Sequence, residues 1–223
     1  MNMKPSRATD NRTKNMVQIS LFAVIMAICA WISIPTVIPF TLQTFAVFLA
    51  VGVLGGKKGT AAICVYLLLG IIGIPVFSGG RAGIGVIFGT AGGYMIGWIF
   101  SGLVMWVMEI FIGRKTWAMA LSMLLGLIVC YIMGTLWFMV VYAKEMGQIG
   151  FWTAIGWCVA PFVIPDLLKI AAAIHIKEVT VTIFIENLEL LIVGCIVPPV
   201  ANVGAVGEED HIGCTNDGFH SIF

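Results

Sequence analysis

The stretch GIPVFSGGRAGIGVIFGTAGGYMIG, residues 73–97, decides the fold. It sets glycines densely around one arginine, Arg81, and lies between two long apolar runs. It cannot be one continuous spanning helix. Glycine costs roughly 1 kcal/mol per helix position relative to alanine, and Pro75 removes a backbone donor. Near a bilayer, non-helical backbone is tolerated only where protein encloses it or water reaches it. A glycine-rich, arginine-bearing loop between spans therefore predicts the lid or wall of a binding pocket.

The remainder of the chain supplies the spans. Of 223 residues, 60% are hydrophobic and 10% charged, with mean hydropathy +1.05. A soluble domain carries about 25% charged residues, so this is not a soluble globular protein. Apolar runs of about 20 residues recur, each long enough to cross a hydrocarbon core of about 30 Å. The composition predicts an all-α polytopic membrane protein. A net charge of +1 without any basic, aromatic-interleaved patch gives no sign of nucleic-acid binding. The cysteines at 29, 64, 130 and 158 lie apart in apolar segments and read as small hydrophobes, not as a disulfide framework.

Working outward, residues 1–15 form a polar, basic, cytoplasmic arm with Lys4, Arg7, Arg12 and Lys14. The first span is expected from about Met16 to Ile34; being followed by more spans, it reads as retained, not as a cleaved signal. The segment PTVIPFT (35–41) is held extended by its two prolines. A short second span runs from about Leu42 to Leu54, and GGKKG (55–59) reads as a tight polar turn. The third span covers about Thr60 to Ile74. The glycine loop follows it, and a fourth span runs from about Ala91 to Ile112. The fifth is expected over Thr116 to Tyr142. The sixth is expected to start near Pro165, since proline suits a first helical turn, and to end near Lys177. This makes 16–177 a six-helix membrane domain. Lys57, Lys58, Arg114, Lys115 and Lys177 then share one side with the N-terminal arm, leaving Arg81 and Lys144 opposite, so both ends of the unit are cytoplasmic. Residues 178–223 hold most of the acidic residues and no Lys or Arg, a tail of no assignable structure.

Asp166 and Lys169 carry the sharpest chemical signal. They are an acid–base pair within an apolar segment, and i,i+3 spacing puts them on one helix face. A charge at mid-membrane costs about 2.5–3.5 kcal/mol, so ionisable residues there mark a functional site by default. The plainer reading is a self-neutralising pair bracing a helix start. Arg81 is either a guanidinium that takes an anionic group through two hydrogen bonds or a solvated loop residue. Gly85, Gly89, Gly93, Gly97 and Ser101 make a small-residue stripe for close helix approach. Gly92 and Gly93 beside Tyr94 mark a point where a flat ligand meets backbone. Ala23 and Ala27 make a second small pair, for docking a helix of this chain or of a partner. Thr41, Gln43 and Thr44 either bind a ligand or cap the second span, with capping the simpler role for Thr41. Trp152 and Trp157 read as interfacial belt residues. Glu109 and Glu145 receive no role. Asp210, His211, Cys214 and His220 fit no structural zinc spacing.

A phosphate-binding loop needs glycine five residues before its Gly-Lys pair, and Val51 stands there before Gly56-Lys57. HExxH and GxSxG are also missing from the sequence. Uphill movement of a solute would need a coupling ion or a separate motor.

Residues 35–45 (PTVIPFTLQTF), 54–59 (LGGKKG), 67–80 (LLLGIIGIPVFSGG), 85–97 (GVIFGTAGGYMIG) and 165–169 (PDLLK) resemble, in that order, the BioY family of biotin transporters, the substrate-binding S components of energy-coupling-factor transporters. The resemblance spans about Val17 to Lys177. It implies a six-helix protein of the prokaryotic plasma membrane that binds biotin near the outer face. Import would be driven by a coupling membrane protein and two ABC-type ATPase subunits. It implies no cofactor, with biotin the transported ligand. It further implies that Asp166 and Lys169 contact the ligand and that Ala23 and Ala27 face the coupling protein. Biotin's ureido N–H groups suit a carboxylate, and its valerate carboxylate suits a cation, either Lys169 or Arg81. Thr90-Ala91 stands where the family often has Pro-Thr, and residues 178–223 match nothing in the family pattern. Two other readings keep the architecture: an S component for a different vitamin, or a non-transporting membrane scaffold. A membrane-embedded enzyme is disfavoured by the lack of any nucleophile–base or metal constellation.

Overall fold

The computed structural model of the protein describes residues 7–34, 39–145, 147 and 149–178. All fall within the compact unit Met1–Glu186. Asp210, His211, Cys214 and His220, and the tail beyond Glu178, lie outside the described residues.

Helix α2 (Gln43–Leu54) is the hub. It is apolar all round, which suits a helix encircled by others, and most of its side chains are buried. At 12 residues it is about 18 Å long by the helical rise, too short to cross a bilayer alone. Around it pack α1 (Arg7–Trp31), α3 (Gly56–Ile72), α5 (Gly92–Ile112) and α8 (Ala160–Ile176). Helix α6 (Thr116–Glu145) lies along α5, and α7 (Phe151–Cys158) joins α6 to α8. Four segments among the described residues are long and apolar enough to cross a membrane: Arg12–Trp31, Gly92–Ile112, Thr116–Lys144 and Phe151–Ile176. The chain is therefore a mostly helical membrane protein.

Several expected boundaries move, for identifiable reasons. Helix α1 begins at Arg7, so the basic arm from that residue onward is its first turns. The chain leaves α1 into a two-stranded hairpin, β1 (Ser33–Ile34) with β2 (Phe40–Thr41), which pairs Ser33 with Thr41 and Ile34 with Phe40. The GGKKG turn shrinks to Gly55, at φ +86°, and α3 starts at the next residue. Its first exposed donor, Gly56 N–H, is taken by the Glu109 carboxylate, giving that acid a capping role. Gly56 and Gly59 serve contact, not flexibility: a Cβ on either would sit 2.3 Å from Trp106 Cα or 2.4 Å from Val51 Cα. Arg114 completes this junction. It pairs with Glu109 at 3.3 Å and donates to the carbonyls of Gly52 and Val53 at the end of α2.

The sixth span also differs. Pro161 occupies the first turn of α8 and Pro165 lies inside it, one residue before Asp166. The missing N–H of Pro165 leaves the Pro161 carbonyl without its helical partner. The break falls instead at Val159 (φ −122°), where α7 gives way to α8.

The glycine stripe acts within the chain. On α5, Gly93, Gly97 and Ser101 face Trp137, Cys130 and Gly126 of α6, whereas Gly85 and Gly89 belong to the short helix α4 (Ile84–Phe88) and its end. Ala23 is 1% exposed and Ala27 packs against the same core. Ala23 therefore packs within its own chain, while Ala27 keeps part of its surface open.

Candidate functional site

The glycine loop spans residues 73–91, and from Gly92 onward the quoted stretch is helix. Its fold is set by Phe77, which is fully buried and lies on Gly70, where a Cβ would stand 2.1 Å from the ring. Two indole N–H groups hold its ends: Trp31 donates to the Pro75 carbonyl at 3.1 Å, and Trp137 to that of Gly89 at 3.0 Å. Between these anchors Phe77 and Arg81 bridge, closing a tight turn over Ser78–Gly80.

Beneath the loop and the β1–β2 hairpin lies a cavity of about 610 Å³, its open mouth included. Its polar lining is Thr41, Gln43, Thr44, Ser78, Arg81, Asp166 and Lys169. Tyr94, Met95, Trp98, Leu127, Tyr131 and Phe162 form its apolar and aromatic walls. This is the usual make-up of a small-molecule site: largely apolar, with a few convergent polar groups.

Asp166 and Lys169 are 3% and 7% exposed, and the helical spacing brings them together: Lys169 Nζ donates to Asp166 Oδ1 at 2.8 Å. A second Nζ donation goes to the Thr41 carbonyl at 2.8 Å, and the ammonium stands 4.3 Å from the Phe40 ring centroid. Phe40 in turn stacks on Phe162 of α8. The lysine thus ties the hairpin to α8. Asp166 Oδ2 accepts from the Tyr131 hydroxyl at 2.7 Å. A buried charge pair is tolerable when further hydrogen bonds support it, and here Tyr131 and Thr41 supply one each.

Arg81 sits at the mouth, exposed, with Nε donating to the Ser78 carbonyl at 3.0 Å. Gln43 is buried, and its amide N–H donates to the Tyr66 hydroxyl. Thr41 stands one residue before Leu42, the N-cap of α2, and its hydroxyl accepts from Gln43 N–H at 3.3 Å. Tyr94 contributes its ring to the wall while its hydroxyl is committed to the Cys158 carbonyl at 2.8 Å. Gly92 and Gly93 do not line the cavity. A Cβ on Gly92 would meet the Ile87 carbonyl at 1.6 Å, and one on Gly93 would meet Trp137 Cβ at 2.2 Å. Both glycines serve helix approach at the start of α5. Tyr131, Trp98 and Phe162 were missed from the sequence. An aromatic in an apolar span looks like packing, and only the hydroxyl of Tyr131, which needs a partner when buried, carried a signal.

Fold and site together define a polytopic helical membrane protein with a capped small-molecule pocket at one end of the bundle. The BioY family model matches residues 2–185, and the chain belongs to the BioY family. It is 36% identical over 163 residues to the biotin transporter BioY of Thermotoga maritima, covering 72% of this chain and 91% of that one. It is also 36% identical over 168 residues to a probable biotin transporter BioY of Pyrococcus horikoshii, covering 75% and 96%. Among solved structures it resembles the S-component for biotin from an ECF-type ABC transporter, with TM-score 0.67 and 23% identity over 78% of this chain and 93% of that one.

Proposed function

We propose that this chain is the biotin-capturing S component of an energy-coupling-factor importer in a prokaryotic plasma membrane. The observation that carries the reading is the buried, mutually hydrogen-bonded Asp166–Lys169 pair lining a capped pocket in a member of this family. The charged lining residues, Arg81, Lys169 and Asp166, leave one formal positive charge, which complements a monoanionic ligand. Asp166 has a lone pair free on each oxygen for ureido N–H groups. Lys169 already spends donors on Asp166 and on Thr41. Arg81 uses only Nε on Ser78 among the described residues, so its terminal nitrogens are the better holder for the valerate carboxylate. The pocket walls Trp98, Met95 and Leu127 would cover the thiophane ring and the aliphatic chain.

Six spans follow if α2 and α3 each count as one, with α7 and α8 together as the sixth. The bias of basic residues supports an N-terminus in the cytoplasm and a pocket at the outer face. A coupling membrane protein and two ABC-type ATPase subunits would supply the drive. The test is saturable binding of labelled biotin to the purified protein in detergent, with competition by unlabelled vitamins. Biotin alone should displace the label. Displacement by another vitamin would reassign the substrate, and a folded protein that binds none would leave a membrane scaffold.

A further inference from the structure

We infer that Tyr66 is a positioning residue that sets which face of Gln43 the pocket presents. This rests on the pocket reading above. Tyr66 lies on α3, is 0% exposed and does not line the cavity. Its hydroxyl has one proton, and that proton is donated to the Val76 carbonyl at 2.9 Å. A carbonyl can only accept, so the direction of this bond is fixed. Toward Gln43 the hydroxyl can then only accept, and the Gln43 Nε2–H donates to it. The amide is consequently locked with its nitrogen against Tyr66 and its carbonyl Oε1 turned the other way. Gln43 lines the cavity, and Oε1 is neither hydrogen-bonded among the described residues nor among the buried atoms that lack a partner. It is therefore open to the cavity as a hydrogen-bond acceptor.

The consequence is specificity. Gln43 Oε1 and the Asp166 carboxylate line the same pocket and can only accept, which suits a ligand carrying N–H donors. A Gln43 amide turned over would present NH₂ and favour a ligand acceptor instead. Because Val76 belongs to the glycine loop, Tyr66 also makes this choice depend on the loop being seated. Phe77, the next residue, packs edge-on against the Tyr66 ring at 5.9 Å between centroids.

The experiment has two arms. In the first, the wild-type protein in detergent without ligand is examined by NMR with ¹⁵N-glutamine labelling. Cross-peaks from the Gln43 side-chain NH₂ to the Tyr66 ring are expected. Their absence overturns the orientation whether or not biotin binds. In the second, biotin affinity is measured for Tyr66→Phe, Gln43→Ala and the double variant. Tyr66→Phe should weaken binding roughly 3- to 10-fold, and by less than about twofold in the Gln43→Ala background, since neighbours that act through one another are not additive. Equal losses in both backgrounds would overturn the inference and leave Tyr66 as packing alone. A wild type that shows the cross-peaks but binds no biotin would sink the substrate reading and leave the orientation standing.

Discussion

Lys169 shows how much one side chain can do here. It neutralises Asp166, holds the hairpin through the Thr41 carbonyl and lies against Phe40, all while lining the pocket. The pair itself was legible, because two opposite charges three residues apart in an apolar segment reach each other across one helical turn and are costly there alone. Its surroundings were not: Tyr131 lies 35 residues away from Asp166 in sequence, and only the rotation of α6 against α8 brings the two together. The glycines divide in the same way. Their spacing announced close helix approach, yet nothing in it separated contact positions from loop positions. The structure does. A Cβ on Gly93 would collide with Trp137 at 2.2 Å, whereas one on Gly85 meets nothing within 4 Å. Gly93→Ala should therefore destabilise the fold by about 1–3 kcal/mol, read as a lower melting temperature in detergent. Gly85→Ala should leave it unchanged within about 0.5 kcal/mol.

Among the elements, the glycine loop is the one on which the pocket depends. Its glycine content and Pro75 made its departure from helix readable in advance. Its anchors were unreadable, since Trp31 and Trp137 resemble membrane-facing tryptophans until their N–H groups are seen on Pro75 and Gly89. Replacing either with phenylalanine keeps the ring and deletes the bond. Trp31→Phe and Trp137→Phe should each speed trypsin cleavage after Arg81, the loop's one basic residue, by a few-fold relative to wild type. An unchanged cleavage rate in both would show that Phe77 on Gly70 holds the loop unaided. The junction between α2 and α3 carries a parallel lesson. GGKKG looked like a turn because glycine and lysine are turn-compatible, but Glu109, 53 residues on, supplies the cap that lets α3 begin immediately after Gly55.

For the whole molecule, hydropathy located the helices to within a few residues, the short α2 included, and misplaced chiefly the start of the last span. Helix α2 is too short to span unaided, and the last span is split at Val159 into α7 and α8. Basic-residue bias predicts the orientation, and it can be checked directly. In intact cells, over the background of the native cysteines, Lys144→Cys should label with a membrane-impermeant maleimide and Lys115→Cys should not. The reverse pattern would invert the topology and put the pocket on the cytoplasmic side. The central claim, that the Asp166–Lys169 pocket captures biotin, is tested most directly by equilibrium biotin binding to purified wild type beside Asp166→Asn and Lys169→Ala. Wild type should bind saturably, and each folded variant should lose roughly 5- to 150-fold in affinity, the worth of a buried polar contact left unmade. Folded variants that bind biotin as tightly as wild type would contradict the account.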